Sequence, residues 1–233
     1  MEEFWDRRAR ENAAYFVDNR LHYRRPEMEA FWQGGRVALD RMLGSLGATI
    51  GPGDEVVEIG CGVGRLTRWL AQRAATVRAL DVSEEMLVRA AELNDLPNVT
   101  WVHGDGTSLA GIESASADVC FSDVVFQHIP DPAITLGYVE EMGRVLRPGG
   151  WAAFQVSNDP SIHRRRAPWE RLRTTALARI GRAPRGQAHP AWLGSAIDLE
   201  ELRRTCAGAG LTAGNVLGAG TQHCHVLLLR DPR

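Results

Sequence analysis

The chain of 233 residues contains no lysine: all 27 of its basic residues are arginine. A lysine base or Schiff-base nucleophile is thereby excluded, and the bias itself fits coding by a GC-rich genome. Cysteine is sparse. Cys61, Cys120, Cys206 and Cys224 lie far apart and never in CxxC spacing, so neither a zinc site nor a disulfide framework is expected. No run approaches the roughly 18 apolar residues of a membrane span, and the start, Met1-Glu2-Glu3-Phe4-Trp5-Asp6-Arg7-Arg8, has no apolar signal core. A cytoplasmic protein with reduced thiols is the expectation. Excess charge of either sign is missing as well. A formal net charge of −2 offers no general attraction to nucleic acid or to an anionic membrane, and neither is expected as a partner.

What is present is an ordinary globular composition, 44% hydrophobic and 24% charged, sufficient for a single domain over residues 1–233. Residues 1–50 read as a helical cap. Apolar residues recur there at three- and four-residue spacings, and Pro26 separates two helices, of which the second ends at Gly44-Ser45-Leu46-Gly47. The first carries Trp5, Arg7, Arg8 and Tyr15, aromatic and cationic groups suited to covering a ligand. Residues 51–156 form the core. Strands are expected at 55–59, 76–80, 98–103 and 151–156, with a fourth strand and the loop leaving it over 117–126; helices are expected at 66–73, from a capping Ser83 through an apolar face at 86–93, and at 134–146. Such alternation implies an open parallel α/β sheet. Residues 157–194 break the rhythm with Arg164-Arg165-Arg166 and four prolines and read as an insertion after the fifth strand, with a helix expected from Trp169 to Ile180. Residues 195–233 restore a helix and end in a hairpin around Gly218-Ala219-Gly220-Thr221, which makes the final strand antiparallel.

The chemistry collects around Val56-Val57-Glu58-Ile59-Gly60-Cys61-Gly62-Val63-Gly64-Arg65. A buried β-branched run breaks into three glycines at alternate positions and then enters a helix, the local pattern of a turn that brings backbone amides close to a polar ligand. In open α/β sheets the ligand lies beyond the carboxyl ends of the strands. Gly60–Gly64, Asp81, Asp105-Gly106 and Ser122-Asp123 therefore belong to one crevice. Asp81 stands about 20 residues past the turn, where a strand-two carboxylate accepts from a ribose diol. A dinucleotide fingerprint wants its third glycine where Arg65 stands, so a pyrophosphate grip, and with it an NAD-dependent oxidoreductase, is disfavoured.

Taken together, VVEIGCGVGRLT, ALDVSEEML, HGDGTSL, DVCFSDVVFQHIPD and VLRPGG resemble, in order and spacing, the class I S-adenosylmethionine-dependent methyltransferases over roughly residues 50–230. The resemblance implies a Rossmann-like, mostly parallel seven-stranded sheet with its last strand antiparallel and helices on both faces. It implies S-adenosylmethionine as cofactor. Glu58, Cys61 and the backbone of Gly60, Gly62 and Gly64 would meet the methionine portion, Asp81 the ribose, and Val82 and Met86 the adenine. Asp105 and Gly106 would meet the adenine amino group, with Ser122 and Asp123 beneath the sulfonium.

Methyl transfer needs in-line positioning more than a base. If the acceptor is a hydroxyl, His128 is the candidate base, because it follows the fourth strand and imidazole titrates near neutrality. Acceptor contacts are expected from Tyr15, His163, Trp169 and Trp192, which lie in the cap and insertion. No metal site is expected, since His223 and His225 find no third ligand. The Asn/Asp-Pro-Pro-aromatic motif of amino-directed DNA methyltransferases is absent: Ser122-Asp123-Val124-Val125 stands in its place. The expected activity is O-methylation of a small molecule, a secondary metabolite or sugar, by a monomer or homodimer. N- or C-methylation, and a non-catalytic S-adenosylmethionine-binding partner protein, are the alternatives.

Overall fold

The computed structural model describes residues 1–163, 169–170, 176 and 189–232. Two helices, α1 (Glu2–Val17) and α2 (Met28–Leu46), precede the sheet. The core follows as β1 (Glu55–Ile59), α3 (Thr67–Leu70), β2 (Thr76–Asp81), α4 (Glu84–Leu93), β3 (Val99–His103), β4 (Ala117–Ser122), α5 (Pro132–Val145) and β5 (Leu146–Val156). After the insertion come α6 (Pro190–Leu193), α7 (Leu199–Gly208), β6 (Leu211–Leu217) and β7 (Cys224–Arg230). The seven strands lie in the order β3-β2-β1-β4-β5-β7-β6. All are parallel except β7, which runs antiparallel between β5 and β6. The expected architecture is present, including the antiparallel final strand.

Strand alternation sorts the core into two layers. Val57, Ile59, Cys120, Phe154, Val226 and Leu228 point to one face and pack under Val139 and Met142 of α5 and Leu202 of α7. Their neighbours Val56, Val119, Phe121, Ala153 and Leu227 point to the other, under Leu39, Leu43 and Leu46 of α2 and Leu70 of α3. A third, smaller cluster sits at the strand ends, where Ala9, Ala13 and Ala14 of α1 meet Phe31, Trp32, Val63 and Met86. It fixes α1 across the crevice. Ser83 adds a tie: its Oγ caps α4 by accepting from Met86 N at 3.1 Å and donates to Asp6 Oδ1 at 2.6 Å.

Three local differences from the sequence reading have physical causes. α1 breaks at Asn12 (φ −170°, ψ 85°), whose Oδ1 accepts from Tyr15 N at 3.1 Å while its Nδ2 donates to Tyr23 O. The third helix is a single turn, Thr67–Leu70, flanked by looser turns instead of a regular helix over 66–73. Strand five begins at Leu146 and not at Trp151. Leu146 pairs with Ala117, and the register shift that follows accommodates Gly149 at φ +83° within the strand. The helix expected from Trp169 to Ile180 lies outside the described residues except at 169–170 and 176.

Candidate active site

The turn after β1 makes the floor of a cavity. Gly60 N and Cys61 N donate to Leu80 O at 2.7 and 2.9 Å, and Gly62 N donates to Asp81 Oδ2 at 2.8 Å. The turn is thus stitched to the end of β2. Gly60 is required there. Its φ is +76°, and a Cβ would lie 2.4 Å from Val125 Cγ2. Asp81 also accepts from Ser83 N at 2.9 Å, so one carboxylate organises both the turn and the start of α4. Beyond β4, Val124 sits at φ +59°, an unfavourable conformation for a β-branched residue. Asp123, Val124 and Val125 all face the cavity around it.

The roof is aromatic. Trp5 and Phe16 come from the two halves of α1, and His128 from the 3₁₀ turn Phe126–His128. The Trp5 ring meets the His128 ring edge-on at 5.6 Å, Phe16 meets Trp192 at 5.9 Å, and Phe4 stacks on His189 at 4.4 Å. His128 Nδ1 lies 3.1 Å from Trp192 O. A carbonyl only accepts, so the proton resides on Nδ1, and Nε2 takes the Gln127 amide at 3.2 Å. Burial pushes the ring down to about 4. At neutral pH His128 is therefore an uncharged ring with both nitrogens engaged.

Three carboxyl groups stand in the wall, and burial raises each. Glu58 is raised to about 7, the desolvation outweighing the Thr67 Oγ1 hydrogen bond at 2.5 Å and reinforced by Asp81. Burial also raises Asp81 against the amides of Ser83, Gly62 and Val82, and raises Asp123 against the charge of Arg65. Cys61, buried beside Asp81 and Glu58, is held far above the thiol range and is inert as a nucleophile.

Of the residues singled out from the sequence, Glu58, Gly60, Cys61, Gly62, Asp81, Val82, Met86, Gly106, Asp123 and His128 line this cavity. Gly64, Asp105 and Ser122 do not. A Cβ on Gly64 would lie 2.8 Å from Asn94 Nδ2 and Trp101 Cη2, so its bareness serves packing against β3. Ser122 Oγ donates to Ile59 O at 2.9 Å and joins β4 to β1. Asp105 is exposed, and its carboxylate closes its own loop on Thr107 N and Ser108 N, both at 2.7 Å, leaving Gly104 and Gly106 to face the cavity.

The expected acceptor residues also divide. Tyr15 packs edge-on against Phe16 and Tyr23, and Phe16 is the residue that lines the cavity. His163 is tied to Leu193 O at 2.5 Å and Ser157 Oγ at 2.6 Å, outside the lining. Trp169 is 64% exposed and is not among the residues that line this cavity. Trp192 stands behind His128, its ring 5.5 Å away. The Arg164-Arg165-Arg166 run lies outside the described residues. The sequence reading missed Met1, Arg65 and Tyr138 as lining residues. Arg65 carried a signal, its place directly after the glycine turn. Tyr138 carried none beyond the apolar face of α5. Among the described residues no group of three or more potential metal ligands occurs, and no helix is long and apolar enough to cross a membrane.

Comparison with known proteins agrees with this geometry. Residues 57–154 match a family model described as a methyltransferase domain. The chain is 34% identical over 120 residues to malonyl-(acyl-carrier protein) O-methyltransferase of Pectobacterium atrosepticum, covering 52% of this chain and 45% of that protein. It is 40% identical over 117 residues to trans-aconitate 2-methyltransferase of Deinococcus radiodurans, covering 48% and 42%. The chain thus spans just under half the length of the curated relatives it matches. Among solved structures, N-methyltransferase NodS from Bradyrhizobium japonicum, in complex with S-adenosyl-L-homocysteine, superposes with a TM-score of 0.61 at 17% identity, over 100% of this chain and 98% of that one. That likeness bears on the fold alone. With the sheet order and the glycine turn stitched to β2 in agreement, residues 57–154 carry a methyltransferase domain of the S-adenosylmethionine-dependent type.

Proposed function

We propose that this protein transfers a methyl group from S-adenosylmethionine to an acidic oxygen, a carboxylate or phenolate, of a small molecule. The observation that carries the reading is the cavity itself: a floor of backbone amides and carboxylates at the ends of β1, β2 and β4 beneath a roof of rings. Its donor set fits a nucleoside with an amino-acid tail. Asp81 would accept from the ribose, Val82 and Met86 would flank the adenine, and Glu58, Asp123 and the Gly60–Gly62 backbone would meet the tail. When bound, the donor supplies a methyl group on a sulfonium, electrophilic enough for direct displacement.

The chain's own part is to orient and to exclude water. Trp5, Phe16 and His128 cover the cavity, which Asp123, Val124 and Val125 also line. On this reading His128 positions the roof, its Nδ1–H donating to Trp192 O and its Nε2 accepting from the Gln127 amide. An acceptor oxygen that is already anionic needs no proton taken. This favours a carboxylate or an acidic phenol over a sugar hydroxyl. The acceptors named for the relatives, a malonyl group and trans-aconitate, carry carboxylates.

The test is incubation with methyl-labelled S-adenosylmethionine and a panel of carboxylic acids, phenols, sugars and amines. Methyl ester or aryl ether formation is expected. Labelled amine product would overturn the oxygen assignment, and donor binding with no transfer to any acceptor would favour a non-catalytic binding protein.

A further inference from the structure

One charged group in the cavity wall has unmet hydrogen-bonding capacity. Arg65 is 6% exposed and lines the cavity, and its Nε and Nη1 are buried with no hydrogen-bond partner among the described residues. Its ion-pair partner, Asp18, reaches Nη1 only at 3.5 Å. Asp18 is committed elsewhere: Oδ1 accepts from Arg20 Nε at 2.7 Å and Oδ2 from Arg20 Nη2 at 2.6 Å, a two-pronged pair. A buried donor left unpaired is strongly unfavourable, the more so when it is charged.

Arg65 is held in this position by its surroundings. A Cβ on Gly35 would lie 2.5 Å from Arg65 O and 2.9 Å from its Cγ, so bare backbone at Gly35 lets α2 close over the arginine stem. The Phe31 ring lies 6.0 Å from the guanidinium carbon. Across the cavity, Asp123 takes no hydrogen bond from any described residue, and the two charges act on one another. An open guanidinium and an open carboxylate in one cavity complement a ligand bearing an anion and a cation.

We infer that Arg65 is the residue of this site that binds a ligand carboxylate, carried either by the amino-acid tail of the donor or by an acidic methyl acceptor. A guanidinium fork matches a carboxylate in two-pronged fashion, which a backbone turn alone does not. The inference rests on the donor-site reading given above.

Calorimetry on the full chain separates the sources. The ligands are S-adenosylhomocysteine, 5′-methylthioadenosine, which lacks the amino-acid tail, and trans-aconitate added to protein saturated with S-adenosylhomocysteine. If the donor's tail is held, Arg65→Gln weakens S-adenosylhomocysteine by about 10- to 100-fold, the range of a charge-assisted hydrogen bond, and leaves methylthioadenosine within about twofold. If the acceptor is held, S-adenosylhomocysteine affinity is unchanged and a trans-aconitate response of the wild type disappears in the variant. Asp18→Asn/Arg65→Gln, which removes both charges of the long ion pair, must repeat the pattern of the single variant, and this controls for misfolding. Gly35→Ala, which displaces Arg65 without changing charge, must move the same ligand in the same direction. Equal loss of both nucleosides, or S-adenosylhomocysteine affinity unchanged with no Arg65-dependent response to trans-aconitate, overturns the inference. Wild-type protein that binds neither nucleoside would instead overturn the donor-site reading.

Discussion

On the floor of the cavity the holds are backbone hydrogen bonds made within some twenty residues of sequence; on the roof they are ring contacts and histidine-to-carbonyl bonds between segments far apart in the chain. Gly60, Cys61 and Gly62 reach only as far as Leu80 and Asp81. Phe4 meets His189, Phe16 meets Trp192, and His128 reaches Trp192 O. The floor tolerates almost no added atom, as the Gly60 position illustrates, whereas ring contacts repack. A protein built this way can change its roof while the floor stays as it is.

Breaking the floor should have the largest effect. Asp81→Ala removes the acceptor for Gly62 N and Ser83 N along with the proposed ribose contact. S-adenosylhomocysteine affinity is expected to fall by about 100-fold or more, with about 1–3 kcal/mol lost from folding stability in urea. The fold is therefore not left untouched, as a purely ligand-facing carboxylate would leave it. Unchanged affinity in calorimetry would remove Asp81 from the donor site.

Breaking the seam between roof and insertion comes next. Gly194 adopts φ +62°, and a Cβ there would lie 1.7 Å from Gln127 O. Gly194→Ala should prise α6 from the 3₁₀ turn at a cost of about 2–4 kcal/mol, combining backbone and overpacking strain. Faster hydrogen exchange across residues 189–197 is expected, with S-adenosylhomocysteine affinity changed by less than about threefold. A donor-affinity loss as large as that of Asp81→Ala would show that floor and roof are one unit.

The smallest effect in the intact protein is a cancellation. His128 is pushed below its ordinary value of 6.5 to about 4, so its neutral form stabilises the fold above pH 6.5 and that stability is lost as pH falls toward 4. Glu58 is pushed above 4.5 to about 7, so its protonated form stabilises the fold below pH 4.5 and that stability is lost as pH rises toward 7. Between about pH 4.5 and 6.5 the two oppose one another. Glu58→Gln should leave stability climbing with pH across that window, and His128→Gln should leave it falling, each by about 2 kcal/mol. Parallel stability curves for the two variants would break the assignment.

The same contrast governs what the sequence made legible. The floor was readable because its causes are local: a β-branched run, alternate glycines, and a carboxylate one strand later. The roof was not. Three- and four-residue spacing names an apolar face of α1 but gives no sign of the break at Asn12, and that break accompanies Phe16, not Tyr15, in the lining. His128 was placed correctly after β4, yet the bond that fixes its proton comes from a carbonyl 64 positions away. Asp105 stood at the right strand end, but its own loop uses the carboxylate. Arg65 was noticed only as a missing glycine. Val124 in the left-handed region has no sequence signature, since β-branched residues seldom go there.

The break at Asn12 also sets the shape of the covering helix. Trp5 and Phe16 are eleven positions apart, a separation of about 16 Å along an unbroken helix, which is a rod that touches a concave site at only one end. Bent at Asn12, the same helix becomes a bracket whose arms each bring one ring to the same cavity. Breadth of cover is thereby a property of one backbone joint, and a short helix with two rings spans what a straight one would need a longer side chain to reach.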